Sequence, residues 1–305
     1  MTAYTILARD TDQMPEGEWL ERRRLQGIGA SEAASAAGLS KWQSPYSLWA
    51  MKTGEVNPGS AGQAARWGNK LEGVILEAFT EEVGIFVERR FQMVCSNEHP
   101  FIFANPDGWA VVDGEDVGVV QAKAPGLRMA EEWADDNVPD EYHLQVQHEL
   151  YVTGFERGWL AVLIGGQDFR VIEIPRDERM IASLIHIETE MWRRIQEMDA
   201  PDIDGHRATT ETIKSMWAKG DPESTINLDE SILRDLRRRA ALKSQLDEIK
   251  KDLDGCENGI KARLGDYEIG LVDGKPVCTW KTIHKDGYFV KPSVQRQLRV
   301  PKGVV

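Results

Sequence analysis

Residues 118–126, GVVQAKAPG, decide how the rest of this chain is interpreted. The pair of valines in this stretch is typical of a buried β-strand, and two polar side chains, Gln121 and Lys123, follow it. Because side chains alternate between the two faces of a strand, Gln121 and Lys123 share one face, opposite to Ala122. Two polar side chains on one face at the end of an apolar strand indicate a functional site.

The composition excludes several classes of protein. With 305 residues, of which 41% are hydrophobic, the chain can bury a large core. No stretch approaches the roughly 18 consecutive apolar residues of a membrane span, and the polar N-terminal segment does not resemble a secretory signal. Three scattered cysteines without a CxxC pair fit a reducing cytosol and exclude a cysteine-built zinc site. The net charge of −13 argues against a protein that coats nucleic acid non-specifically, although it allows a local basic channel.

Helical and strand-like segments alternate through the first part of the chain and predict a mixed α/β domain. We predict helices over 18–26, 31–38, 45–53, 64–83, 127–137, 141–153 and 177–198. Strands are predicted over 85–94, 101–104, 159–166 and 169–174, together with a β-hairpin over 105–123.

A cluster of Pro, Gly and Asp at 199–210 predicts a boundary between a domain over 1–205 and an appendage over 206–305. In the appendage we predict a charged helix over 229–264, followed by a second hairpin. Apolar residues recur along this helix at alternating spacings of three and four: Leu246, Ile249, Leu253, Cys256 and Ile260. This seam resembles a coiled coil, although two glycines weaken it. We therefore expect the appendage to serve oligomerisation or contact with a partner or DNA.

The first hairpin brings Asp107 close to the polar pair of residues 118–126. With a turn near Gly114, antiparallel pairing places Asp107 opposite Ala122 and beside Gln121. The order Pro-Asp, then Gln-x-Lys, differs by one residue from the PD-(D/E)xK pattern of metal-dependent nucleases. In that pattern two carboxylates hold Mg²⁺, which lowers the pKa of a bound water, and the lysine orients that water or stabilises charge on the phosphate.

These residues alone leave other interpretations open. Acidic and basic side chains near a hairpin are common, so surface decoration explains the pattern equally well. Glu72 fits a solvated position on a helix. Tyr142 and Gln145, one turn apart, fit an ordinary amphipathic helix, and Ser31 fits a simple helix N-cap. A structural role is the more common one for a histidine such as His148.

Five stretches occur together in a fixed order: RLQGIGASEAA (24–34), ARWGNKLEGVILEAF (65–79), NPDGWAVV (105–112), VVQAKAP (119–125) and PDEYHLQVQHELYVTG (139–154). Together they resemble the phage lambda exonuclease and YqaJ-like viral recombinase family of PD-(D/E)xK nucleases. The resemblance covers about residues 18–198 and excludes the appendage.

The resemblance implies a restriction-endonuclease-like core with a central mixed β-sheet flanked by helices. It also implies Mg²⁺-dependent hydrolysis of double-stranded DNA ends in the 5′ to 3′ direction, with Mn²⁺ as a substitute, leaving 3′ single-stranded tails for phage-type recombination. The implied partners are 5′-phosphorylated DNA ends, a single-strand annealing protein and further copies of the chain, with a trimeric ring favoured. The expected location is the cytoplasm of a bacterial host, with a phage or prophage gene as the source.

The same resemblance assigns roles to particular positions of this sequence. The implied metal ligands are Asp107, Gln121, Ala122 and Glu72, and the implied catalytic residues are Asp107, Gln121, Lys123, Glu72, Tyr142 and Gln145. The residues implied to bind the 5′-phosphate or neighbouring phosphates are Arg24, Ser31 and Arg128.

Gln121 departs from the family pattern, which has an acidic residue at this position. The amide keeps the size and one coordinating oxygen of a glutamate but removes its charge, so Mg²⁺ affinity and water activation should fall. We interpret the chain as a form inactivated by a Glu→Gln change that still binds DNA. The alternatives are a natural pseudo-nuclease that binds DNA ends, a PD-(D/E)xK endonuclease, and a protein-interaction module without DNA binding.

Overall fold

The structure, a computed structural model, describes residues 3–57 and 62–284. These residues divide into two compact units, and the division lies between Met216 and Trp217.

The first unit contains seven α-helices and nine strands within the described residues. The helices are α1 (Glu16–Gln26), α2 (Ala33–Ala36), α3 (Pro45–Thr53), α4 (Gln63–Val83), α5 (Asp140–Thr153), α6 (Glu178–Gln196) and α7 (Arg207–Met216). The strands are β1 (Tyr4–Ala8), β2 (Ile28–Gly29), β3 (Phe86–Glu88), β4 (Met93–Ser96), β5 (Ile102–Ala104), β6 (Gly108–Val112), β7 (Glu115–Lys123), β8 (Arg157–Ile164) and β9 (Asp168–Pro175). Short 3₁₀ segments occur at Thr11–Gln13, Ala30–Glu32 and Leu127–Asp136.

Two mixed sheets form the frame of this unit. The five-stranded sheet has the order β3-β6-β7-β8-β9, in which β7 and β8 are parallel and the other neighbours antiparallel. The four-stranded sheet has the order β1-β4-β5-β2, with β2 and β5 parallel. Parallel neighbours need a crossover connection, and the chain between β7 and β8 supplies it with α5. The predicted mixed α/β core flanked by helices is confirmed.

The centre of the larger sheet lies between two helices. Val119 is buried in a cluster with Trp133 and with Val146 and Leu150 of α5. The next residue, Val120, is buried on the opposite side, against residues of α4. This burial on both faces explains why β7 reads as a continuous apolar run before its polar end. It also places Gln121 and Lys123 on the face of the sheet that α5 covers, because they alternate with Val120.

The structure departs from the predicted elements at several places in this unit. The predicted strand over 85–94 is two separate strands, β3 and β4, which belong to different sheets, and the predicted helix over 31–38 is a 3₁₀ turn followed by α2. The strands β1 and β2 were not predicted. Residues 127–136 form 3₁₀ turns instead of the predicted α-helix. The chain also continues to pack against the first unit beyond the predicted boundary at residue 205. In α7 Thr209 is buried with its Oγ1 2.6 Å from Ser44 Oγ, and Met216 packs against the cluster around α3. The Pro, Gly and Asp cluster is therefore the loop between α6 and α7.

The second unit contains a 34-residue helix, α8 (Ser231–Leu264), and a hairpin of β10 (Ile269–Val272) and β11 (Lys275–Thr279). The predicted helix and hairpin of the appendage are confirmed, and residues 285–305 of the predicted domain lie outside the described residues. The apolar seam of α8 is exposed, with Leu246, Ile249 and Leu253 each more than half accessible to solvent. No helix in the described part of the chain combines the length and apolar character needed to cross a membrane.

A buried ion pair joins α5 to α6. His148 and Glu188 are both almost fully buried, with Nδ1 of the histidine 2.7 Å from the carboxylate. The ring Nε2 lies 2.8 Å from the carbonyl oxygen of Phe103 and donates to it. Burial by itself would lower the pKa of His148, but the Glu188 carboxylate and the Phe103 carbonyl raise it overall. Both ring nitrogens are thus occupied, which supports the structural role that the sequence favours.

Replacing His148 with alanine should destabilise the first unit. His148→Ala leaves the Glu188 carboxylate buried without its partner, and breaking a buried pair in this way typically costs about 3–5 kcal/mol. Urea unfolding measures this change, with His186→Ala as the matched control because His186 lies exposed on α6. Equal stability of the two variants would show that the ion pair contributes nothing.

Candidate active site

Asp107 lies at the entrance to β6 and contacts the end of β7. Its Oδ2 accepts a hydrogen bond of 2.9 Å from the backbone N–H of Ala122. The ladder pairs Gly108 with Val120, because an irregularity after Ala110 shifts the register by one residue. One further step along this ladder would align Asp107 with position 121, and not with position 122 as predicted. The turn is centred on Asp113 and Gly114, one residue earlier than predicted, and the irregularity after Ala110 recovers only part of that difference. The correction brings the carboxylate and Gln121 closer together in register.

Asp107 occupies a site where a negative charge is unfavourable. The residue keeps partial exposure, yet enough protein surrounds its carboxyl that burial raises the pKa of Asp107 to about 6. The Lys123 ammonium opposes this shift, and the Glu72 carboxylate adds to it. The carboxyl is therefore held close to a cation and close to a second acid. This combination is common where carboxylates do chemistry.

Gln121 is a bridge between a lysine and a glutamate. The side chain is 1% exposed, and its Oε1 accepts a hydrogen bond of 3.0 Å from Lys123 Nζ. Its Nε2 donates a hydrogen bond of 2.9 Å to Oε1 of Glu149. An amide can satisfy both neighbours at once, because it carries a donor and an acceptor. A carboxylate at position 121 would instead face the carboxyl of Glu149.

Glu149 is the site residue that the sequence analysis missed. It is fully buried on α5, and Gln145 Nε2 also donates to its Oε1, at 3.3 Å. Its Oε2 is buried without any hydrogen-bond partner among the described residues. Burial, together with the smaller effect of the charge on Asp107, raises the pKa of Glu149 to about 8, although Lys123 acts in the opposite direction. The signal available in the sequence was helical spacing, since Tyr142, Gln145 and Glu149 follow one another at three and four residues.

Tyr142 lies against the lysine of the site. Lys123 Nζ is 5.4 Å from the centroid of the Tyr142 ring, within the range of a cation–π contact. The ring also stacks on Trp133, with 5.2 Å between centroids. Burial raises the pKa of Tyr142 to about 12, so the phenol stays neutral. The aromatic pair therefore fixes the position of the ammonium group and leaves its charge intact.

Glu72 approaches the site from α4 but is already paired. Its Oε1 lies 2.6 Å from Nη2 of Arg89. Its charge reaches Asp107, because it contributes to the raised pKa of that residue. Nowhere in the described ranges do three or more His, Cys, Asp or Glu side chains form a ready-made metal cluster. The carboxyls that converge on Gln121 and Lys123 are those of Asp107 and Glu149.

Two of the three residues predicted to bind a 5′-phosphate, Arg24 and Ser31, line a cleft of about 700 Å³. Arg24 forms a bidentate ion pair with Glu21, with both hydrogen bonds 2.7 Å long, and it also donates to the carbonyl oxygen of Lys52. The exposed Ser31 hydroxyl accepts a hydrogen bond of 2.8 Å from Arg23, which the sequence analysis did not select. Ser31 is not a helix N-cap, because α2 begins two residues later and Ser31 lies in a 3₁₀ turn. The cleft thus offers two guanidinium groups and a hydroxyl.

A buried ion pair supports the floor of this cleft. Lys52 and Glu32 are both buried, with 2.7 Å between Nζ and Oε2. Lys52 also donates to the carbonyl of Arg23, and Glu32 accepts from the backbone N–H of Gly29. These contacts hold the ends of α1 and α3 against the turn that carries Ser31.

Arg128 stands apart from both groups of residues. It lies in the 3₁₀ segment after β7 and is exposed. In the described structure its guanidinium has no hydrogen-bond or ion-pair partner, so the structure brings it to neither Asp107 nor the cleft. It remains free to meet an external anion.

Comparison with known proteins identifies the chain's relatives. Residues 18–156 match the family model of the YqaJ-like viral recombinase domain, a range that includes all the site residues described above. The chain is 33% identical over 282 residues to the protein named "Uncharacterized protein YqaJ" of Bacillus subtilis (strain 168), which spans 91% of this chain and 86% of that protein.

Solved structures share the fold. The alkaline exonuclease LHK-Exo of Laribacter hongkongensis aligns with a TM-score of 0.50 and 21% identity, over 60% of this chain and 94% of that chain. Its complex with dAMP aligns with a TM-score of 0.51 and 19% identity over the same shares. These likenesses establish the fold, and the sequence identity to the Bacillus relative over nearly the whole length establishes the lineage. The chain belongs to the YqaJ-like viral recombinase family.

Proposed function

We propose that this protein is a Mg²⁺-dependent exonuclease that degrades one strand of double-stranded DNA from its 5′ ends. It would leave 3′ single-stranded tails for phage-type recombination. The family and the exonuclease fold support a nuclease role. The observation that carries the proposal is the convergence of Asp107, Glu149, Gln121 and Lys123 at the end of β7.

The donor set at this site suits Mg²⁺. Carboxylate and amide oxygens are the hard ligands that Mg²⁺ prefers, and protein sites for this ion commonly supply one or two carboxylates and leave the rest to water and phosphate. Asp107 and the unpaired Oε2 of Glu149 provide such oxygens, and the backbone carbonyl of Ala122, whose N–H donates to Asp107, is the proposed third ligand. When bound, the ion would polarise the phosphodiester and acidify a water molecule. Mn²⁺ has similar ligand preferences and should substitute.

Lys123 is positioned to act on the phosphate. An ammonium group has three donors, and the contact with Gln121 uses one of them. The Tyr142 ring restrains the group without removing its charge. The remaining donors can orient the attacking water or stabilise the negative charge that develops on the phosphate oxygens, which is the largest effect in many hydrolytic sites.

The cleft beside α1 is the proposed site for a 5′-phosphate. Arg23, Arg24 and Ser31 would supply charge-assisted hydrogen bonds to a terminal phosphate. The requirement for a phosphorylated end makes the enzyme an exonuclease. A PD-(D/E)xK endonuclease would cut circular DNA as well as linear DNA.

The proposed partners follow from the family. They are a single-strand annealing protein that receives the 3′ tail, and further copies of this chain in a ring, with three copies favoured, inside the bacterial host cell. A net charge of −13 means that DNA must meet a local basic surface, which a ring would place around its channel.

Gln121 leaves one question of activity open within this function. If metal binding required a carboxylate at position 121 of β7, Gln121 would impair cleavage, and the protein would bind DNA ends without degrading them. Impairment by Gln121 stays a prediction, and the pseudo-nuclease that it describes is the alternative function.

Replacement of Lys123 or Asp107 should strongly slow the degradation of linear 5′-phosphorylated duplex DNA in Mg²⁺. We expect Lys123→Ala to lower the rate about 10²–10³-fold, the loss typical of one group that stabilises transition-state charge. Asp107→Asn should lower it at least as far. Glu77→Gln, an exposed carboxylate on α4, is the control and should leave the rate unchanged. Equal cleavage of circular DNA would favour the endonuclease, and end binding without cleavage in the unaltered chain would favour the pseudo-nuclease.

Arg23→Gln and Arg24→Gln should each reduce the preference for 5′-phosphorylated over 5′-hydroxyl ends by about 10- to 100-fold, because a hydrogen bond to a charged group typically contributes about 1.5–3 kcal/mol. The measurement is the ratio of degradation rates on the two kinds of end. Arg22→Gln serves as the control, since Arg22 is exposed on the same helix and does not line the cleft. An unchanged ratio in all three variants would place the phosphate site elsewhere.

The metal-free protein should lose stability as the pH rises. Folding raises the pKa of Asp107 to about 6 and that of Glu149 to about 8, so the folded state holds protons that the unfolded state has released. The stabilisation is complete at acidic pH, below the unfolded pKa values of about 4, and is lost progressively as the pH rises to about 6 for Asp107 and about 8 for Glu149. Thermal unfolding in EDTA measures this trend, which should be weaker in Asp107→Asn. Added Mg²⁺ should restore stability most strongly at the higher pH.

A further inference from the structure

Glu149 carries a feature that a purely structural glutamate would not need. Its Oε1 receives two amide donors, from Gln121 and Gln145, while its Oε2 is buried and bare. Buried polar atoms in proteins are nearly always hydrogen-bonded, so an unpaired carboxylate oxygen requires an explanation. The two amides fix the carboxyl group in one orientation and leave the second oxygen available for a ligand.

The neighbouring residue on α5 shows what a satisfied buried group looks like in this fold. His148 is equally buried, and both of its ring nitrogens have partners, in Glu188 and in the Phe103 carbonyl. The two side chains therefore differ in kind. His148 joins helix to helix, whereas Glu149 presents an open acceptor beside Asp107 and Lys123, whose charges both act on it.

The acid that the nuclease pattern places on the strand has a counterpart on the helix in this chain. That pattern has an acid at position 121 of β7. This chain has Gln121 there, and its amide donates a hydrogen bond to Glu149 of α5. Gln121 also keeps the lysine in place through its other atom. The site therefore has two carboxyls beside Lys123, the same number as the nuclease pattern. Asp107 lies at the position that the pattern gives, whereas Glu149 lies outside the pattern.

We propose that Glu149 is the second metal-binding carboxylate of this site, and that Gln121 is a neutral residue that positions Glu149 and Lys123. This inference rests on the proposed function, because it assigns a ligand to the metal that the function requires. Gln121 then causes no impairment. Glu149 of α5 supplies the negative charge that Gln121 lacks.

The test compares four full-length proteins: the unaltered chain, Glu149→Gln, Gln121→Glu, and the double variant Gln121→Glu/Glu149→Gln. Mn²⁺ binding without DNA is measured by calorimetry and by the electron paramagnetic resonance signal of free Mn²⁺. We expect Glu149→Gln to weaken binding by more than the 10–100-fold that is typical for loss of an outer-shell partner. The double variant should return binding to within about threefold of the unaltered chain, because it restores the same number of carboxyls. Glu77→Gln should bind as the unaltered chain does.

Two results would overturn the assignment. One is unchanged Mn²⁺ binding in Glu149→Gln. The other is a gain of binding and cleavage in Gln121→Glu that persists in the double variant at the same level, which would show that the strand acid alone matters. Thermal unfolding in EDTA guards against misfolding, and Glu149→Gln should be at least as stable as the unaltered chain, because it replaces a buried acid by an amide of the same shape.

Failure of the proposed function would look different. If Mn²⁺ binding depends on Glu149 and is restored by the exchange, but no variant degrades linear DNA, the ligand assignment holds and the exonuclease activity fails. If the unaltered chain degrades DNA and Glu149→Gln does so equally in both Mg²⁺ and Mn²⁺, the function holds and the assignment fails.

Discussion

Consecutive residues of β7 face opposite layers of the molecule: Val119 packs towards α5, and Val120 packs towards α4. This alternation fixes where the polar end of the strand can point. Gln121 and Lys123 must lie beneath α5, so the helix that closes the sheet is also the helix that meets the site. The placement of Asp107 depends on the same strand, because the N–H of Ala122 holds its carboxylate. The alternation of side chains along β7 therefore sets both the packing of the core and the positions of the site residues.

The crossover between β7 and β8 makes this arrangement rigid. Parallel strands oblige the chain to return over one face of the sheet, and α5 makes that return. The His148–Glu188 pair then attaches the helix to α6. Tyr142, Gln145 and Glu149 consequently reach the end of β7 from a support that is held on two sides. A site built on such elements is positioned more accurately than one built on loops.

Local patterns in the sequence predicted most of the fold and part of the site. The long helices, the hairpin and the terminal unit followed from periodicity, and Asp107 and Lys123 followed from strand alternation and a known spacing of residue types. The one-residue shift after Ala110 was invisible, since a bulge leaves no mark in the alternation of so short a strand. Glu149 escaped notice for a different reason. Its contact with Gln121 spans 28 residues and depends on the angle at which α5 crosses the sheet, which no local pattern encodes. Arg23 and Arg24 show the same limit, because adjacent arginines on α1 differ only in which neighbour each one meets.

The direct hydrogen bond between Gln121 and Glu149 also bears on how such a site can change over generations. Glutamate and glutamine codons differ by a single nucleotide, and the two side chains have the same shape, so the acid can pass from strand to helix without any movement of the backbone. The order of the two mutations matters, because one intermediate holds an extra carboxyl and the other holds one too few. A divalent cation can neutralise an extra carboxyl, whereas nothing replaces a missing one. On the proposed assignment, a route that keeps a metal ligand throughout would gain the helix acid before it loses the strand acid, and the resulting site would be recognised by the arrangement of its carboxyls in space and not by a sequence motif.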